Sequence, residues 1–314
     1  MVRLALVIPI FNEEETLPEL ARRVREVCDS IADVAWQVIY VNDGSTDRSG
    51  PIMQEQRAGD PRFTIVELSR NFGHQAAISA GLAHADADAV VIIDGDLQDP
   101  PEVIPDLLAV WRSGAKVVRA ERRSRQDTGV RGAGFALFHR FFTLVSDVEF
   151  GRHTGVFSLL DRRAVREFNL LTEQNRFIPG LRDWLGFEQA TVLYDRQSRA
   201  SGMPKQSLAQ LTRYAMDAVF SFSNKPLRLL MWVGACVSAM GFLLASVFIV
   251  RRLFGFEAAQ MGFTTLVSLV LFLGGIQLIG IGLLGEYLGR TYDEVKRRPL
   301  YIVKDRHGVE TAEG

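Results

Sequence analysis

Cysteine is scarce, with two residues in a chain of 314, Cys28 and Cys236, far apart in the sequence. Two such thiols make neither a disulfide framework nor a Cys-based zinc site, and a reducing compartment fits the globular part. Excess charge of one sign is also missing. Thirty-six basic residues face 37 acidic ones, which excludes a strongly basic nucleic-acid binder and a long acidic tail. No Gly-rich dinucleotide turn follows the first apolar run, and there is no G-x-x-x-x-G-K-[ST] phosphate loop, H-E-x-x-H or G-x-S-x-G. His84, His139, His153 and His307 show no metal-ligand spacing, and His74 is expected either near a ligand or as a helix cap. Wholesale disorder is excluded by 47% hydrophobic and 23% charged residues.

The apolar residues are unevenly spread. Segment 227–250 has 24 residues with one charge, Arg228 at its entrance, and segment 263–285 has 23 residues with none. At about 1.5 Å per residue, each helix would span roughly 35 Å, enough for a ~30 Å hydrocarbon core. The short loop between them makes a tight hairpin whose two ends emerge on one side. Lys205, Arg213, Lys225, Arg290, Lys296, Arg297, Arg298 and Lys304 flank that side, against Arg251 and Arg252 in the loop. This bias places the large domain and the tail in the cytoplasm, on a multi-pass protein of the inner (plasma) membrane. The first apolar run, 4–11, is too short for a signal peptide and is followed at once by Glu13, Glu14 and Glu15. The expected organisation is a globular domain over 1–206, an amphipathic surface helix over 207–226, a transmembrane hairpin over 227–285 and a basic tail over 286–314. Leu208, Leu211, Ala215, Ala218, Val219 and Phe222 recur at helical spacing in the second of these, which also suits an ordinary packed helix. The Phe-rich stretch 130–145 admits the same two readings.

Within 1–206, strand-like runs at 4–10, 37–41, 63–68, 89–93 and 116–119 alternate with helical stretches at 16–30, from 47, 75–85 and 101–113. That alternation predicts an α/β fold with a mostly parallel, Rossmann-like sheet, whose ligands sit at the C-terminal strand ends. The second strand ends at Asp43, which helix capping does not explain and whose carboxylate suits a base or ribose. The fourth ends in Asp94-Gly95-Asp96-Leu97-Gln98. In extended chain, residues i, i+2 and i+4 share a face, so Asp94, Asp96 and Gln98 converge. Oxygen ligands of this kind suit Mg2+ or Mn2+ holding a diphosphate.

These residues resemble the inverting GT-A glycosyltransferases of family two, and among them the polyprenyl-phosphate type. The resemblance rests on VIPIFNEEE (7–15), VNDGSTD (41–47), LSRNFGHQAAISAGL (68–82), DGDLQDPPE (94–102), RRSRQ (122–126) and GEYLGRTYDEVKRRPLYIV (285–303). It implies that Pro9, Phe11, Glu13, Val41, Asp43, Asp94 and Gly95 bind the donor nucleotide, and that Asp96 and Gln98 hold the metal and diphosphate. It implies that Asp94, Asp96 and Arg122 serve catalysis, and that Arg122, Arg199 and Lys205 face the acceptor phosphate. The implied partners are a nucleotide diphosphate sugar (UDP-sugar, with glucose leading), undecaprenyl phosphate and membrane lipids, with a homo-oligomer such as a tetramer and no nucleic acid. A mannose or aminoarabinose transferase on the same lipid, or a silent membrane scaffold, are the alternatives. A processive synthase is disfavoured by the absence of Q-x-x-R-W. Val156 and Ser158 stand where many relatives read Asp and Arg, so a base at that position is absent, and Met203-Pro204 before Lys205 is unusual.

Overall fold

The computed structural model describes residues 1–123, 154–195, 225–254 and 262–308. They fall into two compact units, one of residues 1–123, 154–195 and 298–308, the other of 225–254 and 262–297. Arg199 and Lys205, the amphipathic segment 207–224 and the Phe-rich stretch 130–145 lie outside the described residues.

The first unit is built on β1 (Val2–Ile10), α1 (Leu17–Asp29), β2 (Val34–Asn42), α2 (Ser49–Gly59), β3 (Phe63–Leu68), α3 (His74–Ala83) and β4 (Ala89–Ile92). A 3-10 turn (Pro101–Val103) leads into α4 (Ile104–Arg112), followed by β5 (Val117–Arg122) and β6 (Thr154–Asp161). Then come α5 (Arg162–Leu170), α6 (Ile178–Trp184), β7 (Gln189–Tyr194) and, after the second unit, β8 (Val303–His307). The eight strands form one sheet in the order β7-β5-β6-β4-β1-β2-β3-β8. The β1–β2, β1–β4, β2–β3 and β5–β7 pairs are parallel, as alternating strands and crossover helices require.

The sheet is mixed rather than uniformly parallel. β6 runs antiparallel between β4 and β5, and β8 runs antiparallel along the outer edge of β3. β6 inverts the order of events at the rim: its first residues lie where β4 and β5 end. β8 gives structure to a stretch that the sequence marks only as basic tail. It covers an otherwise open strand edge and presents exposed Lys304, Asp305 and Arg306 outward, which discourages further pairing.

Burial follows from periodicity. Leu17, Leu20, Ala21, Val24 and Cys28 make one buried stripe on α1, while Arg22 bridges Glu19 and Glu26 on its outer face. α3 lies closest to the sheet because its middle is Ala-Ala-Ile-Ser-Ala-Gly-Leu, buried throughout. A Cβ on Gly81 would stand 2.2 Å from Val7 Cγ1 and 3.1 Å from Val41 Cγ2. Gly81→Ala is therefore expected to lower stability by about 1–3 kcal/mol through overpacking. A thermal melt checks this, and an unchanged midpoint would mean that the helix can lift without loss.

The second unit consists of α7 (Lys225–Leu253) and α8 (Phe263–Lys296). The two helices touch where Gly280 faces Leu230, so at least this glycine serves a contact within the hairpin. Trp232 and Phe242 on α7, and Phe272, Leu278 and Ile281 on α8, are exposed apolar side chains. Among the described residues, Phe272–Lys296 is long and apolar enough to cross a membrane, and Leu230–Leu243 is a shorter apolar stretch. α8 thus continues eleven residues past the expected end of the span at 285, through Glu286 and Arg290, which pair at 2.9 Å, one turn apart.

Candidate active site

The loops after β1 and β2 are stitched together by the polar residues of their own motifs. Asn12, in the left-handed region at φ 56°, accepts from the Thr46 N–H at 2.8 Å, and its own N–H donates to Ser45 Oγ at 3.2 Å. Glu14 accepts from the Arg48 N–H at 2.9 Å, while Asp47 accepts from the N–H groups of Glu14 and Ser49. Asn12, Glu14, Ser45, Thr46 and Asp47 are thereby committed to shaping the rim. Gly44 is required there, since its φ is +69° and a Cβ would meet Arg70 C and Asn71 N at 2.6 Å.

Asp43 is 2% exposed. Its two carboxylate oxygens accept from the N–H groups of Phe72 at 2.7 Å and Gly73 at 3.0 Å, just before α3. Burial pushes its carboxyl above the ordinary value, against the pull of those two N–H groups. The residue therefore anchors the start of α3 as well as facing the site.

That anchoring sets His74 at the first turn of α3, where its Nε2 lies 3.0 Å from Asp94 Oδ1. Desolvation opposes the imidazolium, but the hydrogen bond and charge of Asp94, with Asp43 and Asp96 nearby, outweigh it and raise the imidazole above its ordinary value. The side chain keeps 45% of its surface exposed. Sequence alone left His74 between cap and ligand neighbour. The structure makes it a partner of the first motif aspartate.

A cavity of about 500 Å3 opens between these loops. It is lined by Pro9, Phe11, Glu13, Asp43, His74, Gln75, Asp94, Gly95 and Asp96, among others. A second cavity, about 360 Å3, sits by Arg3, Trp36 and His84 at the opposite strand ends and carries none of the motif residues. The first cavity thus gathers Pro9, Phe11, Glu13, Asp43, Asp94, Gly95 and Asp96 in one place.

Two expected site residues stand elsewhere. Val41 is fully buried in β2 and packs beneath Gly81, a core position rather than a cavity wall. Gln98 is 4% exposed and is not among the cavity's lining residues. The reason is local. β4 ends at Ile92, and Asp94–Leu97 form a turn with Leu97 at φ 60°, so the alternation of extended chain does not reach Gln98. Asp96 Oδ1 accepts from the Gln98 N–H at 3.1 Å and closes that turn. A Cβ at Gly95 would lie 2.7 Å from Ile10 Cδ1, so the glycine lets the turn approach β1.

The donor set fits a hard divalent ion in one respect. Asp94 and Asp96 are partly exposed oxygen donors on one cavity wall, and such ions commonly take one or two carboxylates plus phosphate oxygens. Among the described residues, no group of three or more His, Cys, Asp or Glu side chains converges to hold a metal unaided.

Beside the cavity stands Arg122, in a cluster with Asp99 and Tyr194, for which the motifs implied no role. Asp99, 3% exposed, accepts from the Tyr194 hydroxyl and lies 3.6 Å from Arg122 Nη2. Arg122 Nε donates to the Tyr194 hydroxyl oxygen at 3.2 Å. Burial raises the Asp99 carboxyl, as do the charges of Asp94 and Asp96, while Tyr194 and Arg122 oppose the shift. Burial and Asp99 push the Tyr194 phenol well up, so it keeps its proton. On β6, Ser158 pairs with Ile92, and Val156 lies two residues nearer the rim, 7% exposed. Ser158 Oγ donates to the Val156 carbonyl at 2.9 Å, so neither side chain supplies a base.

A sequence model of the family described as "Glycosyl transferase family 2" matches residues 5–168, which span β1 through most of α5. The chain belongs to glycosyl transferase family 2. A further match, described as "GtrB C-terminal hairpin", covers residues 225–291 of this glycosyltransferase, all of α7 and most of α8. It is 40% identical to the uncharacterized glycosyltransferase YkcC of Bacillus subtilis over 98% of this chain and 95% of that protein. It is 38% identical to the SfII prophage-derived bactoprenol glucosyl transferase of Shigella flexneri, over 98% of this chain and 99% of that one. Among solved structures, the mannosyltransferase PcManGT from Pyrobaculum calidifontis, in complex with GDP-Man and Mn2+, is 15% identical with a TM-score of 0.47. That likeness covers 89% of this chain and 87% of that one, and nothing about the site follows from it.

Proposed function

We propose that this glycosyltransferase moves glucose from UDP-glucose to a polyprenyl phosphate at the cytoplasmic face of the inner membrane, with inversion at the anomeric carbon. The observation that carries the reading is a cavity at the C-terminal strand ends, shared by Pro9, Phe11, Glu13, Asp43, Asp94, Gly95 and Asp96. Relatives named bactoprenol glucosyl transferases support the sugar and the acceptor.

In this reading the nucleotide lies against Pro9, Phe11, Glu13 and Asp43, with its diphosphate toward Asp94 and Asp96. A divalent ion, Mg2+ or Mn2+, held by Asp96 with Asp94 beside it, would neutralise the charge that develops on the departing nucleoside diphosphate. His74 holds Asp94 in place. Arg122 supplies positive charge for the phosphates, as an arginine is suited to do. The nucleophile is an oxygen of the lipid phosphate, which forms a bond to the anomeric carbon as the bond to the diphosphate breaks. With a second pKa near ~6, a phosphate monoester is already largely ionised at neutral pH. It needs no side-chain base, which accounts for a valine at position 156.

The exposed apolar surfaces of α7 and α8 suit a bilayer, and a two-span anchor would keep the domain at the plane where the lipid phosphate resides. Incubating purified protein in detergent with several nucleotide sugars and undecaprenyl phosphate tests the reading. We expect a β-linked glucosyl lipid from α-linked UDP-glucose, and little product from a short-chain phosphate. Hydrolysis without transfer, or equal turnover of the short-chain acceptor, would contradict it.

A further inference from the structure

We propose that Tyr194, backed by Asp99, is a positioning residue that aims the Arg122 guanidinium at the phosphates of the reaction. The inference rests on the reading of Arg122 given above and adds the two residues through which that arginine acts.

Arg122 and Tyr194 are register partners on the adjacent parallel strands β5 and β7, so their side chains leave the sheet side by side. The Tyr194 ring is wedged edge-on against buried Phe157, with centroids 5.5 Å apart and planes at 79°. Its hydroxyl therefore has a fixed location. That hydroxyl donates to buried Asp99 Oδ1 and accepts from Arg122 Nε at 3.2 Å.

Asp99 itself does not grip the arginine. Its oxygen is 3.6 Å from Nη2, beyond hydrogen-bond reach, where a bidentate carboxylate would have consumed the fork. The described contacts use only the Nε and Nη2 edge of the guanidinium. The side chain keeps 34% of its surface exposed, and Arg122 and Asp94 are near enough for their charges to interact. The phenol thus does what a second carboxylate would not. It fixes the orientation of the guanidinium through one neutral bond and leaves the remaining donors for an anion. Asp99, by accepting from the hydroxyl, keeps its oxygen turned toward Nε.

The test is a double-mutant cycle in the transfer assay, with thermal melts of each protein. Tyr194→Phe keeps the ring and its packing on Phe157 and removes only the hydroxyl. We expect kcat/KM to fall about tenfold in Tyr194→Phe, the scale of one lost hydrogen bond to a charged group, with the fold retained and the melting midpoint lowered because buried Asp99 loses the hydroxyl that donates to it. We expect about a hundredfold fall in Arg122→Ala, and less than about a twofold further fall when Tyr194→Phe is added to it, because residues acting as one unit are not additive. Parental kinetics in Tyr194→Phe, or losses that multiply fully in the double variant, would overturn the inference while leaving the role of Arg122 standing. Parental kinetics in Arg122→Ala would instead remove the reading beneath it.

Discussion

Asp96→Ala is expected to abolish sugar transfer while leaving the protein folded and in the membrane fraction. Asp96 is a partly exposed carboxylate on the wall of the strand-end cavity. It closes a turn by accepting one N–H, from Gln98, at 3.1 Å. Losing that bond costs about 1 kcal/mol. Losing the group that faces the leaving diphosphate costs far more, about a hundredfold to a thousandfold in rate, as for other preorganised stabilisers of developing charge. The two magnitudes separate the outcomes cleanly. Turnover measured beside a thermal melt checks both, and a variant that retains transfer would sink the assignment of this cavity.

Asp43→Ala is expected to give the opposite balance, a large fall in stability together with lost activity. Both carboxylate oxygens are committed to backbone N–H groups at the start of α3, in a site only 2% exposed. Alanine leaves two buried donors unpaired, each worth about 1–3 kcal/mol. Part of that is offset because the native carboxylate is itself held in a desolvated site, which raises its pKa. A net loss of about 2–4 kcal/mol corresponds to a melting shift of roughly 4–16 °C for a domain of this size. Hydrogen exchange should localise the damage to Phe72 and Gly73. Activity should fall as well, since His74 and its hold on Asp94 depend on the same turn. A parental melting midpoint would show that the N–H groups find other partners, and that Asp43 is not the anchor described here.

Legibility in the sequence tracked how local each determinant is. β1, β2, β3 and β4 and their crossover helices follow from apolar runs and helical periodicity a few positions apart, and they emerged within a few residues of their expected limits. The strand ends then collected Asp43, Asp94 and Asp96 because parallel strands put their C-termini on one side. Gln98 was misplaced when the two-residue period of a strand was carried past Ile92, into a turn that Leu97 completes at positive φ. Val41 shows the converse: a motif residue whose side chain lies buried under Gly81.

β6 and β8 were illegible for a different reason. Each pairs with strands far away in sequence, Ser158 with Ile92 and Arg306 with Val66, and no local pattern announces an antiparallel insertion or a returning tail. The Arg122, Tyr194 and Asp99 cluster is hidden likewise, because its members meet only once β5 and β7 are adjacent.

Binding of UDP to the purified protein, measured by calorimetry with and without Mn2+, bears most directly on the cavity as a site for a nucleoside diphosphate. The account predicts binding that requires the ion, is lost in Asp96→Ala and survives in Tyr194→Phe. Equal affinity with and without the ion, or undiminished binding in the Asp96 variant, would contradict it.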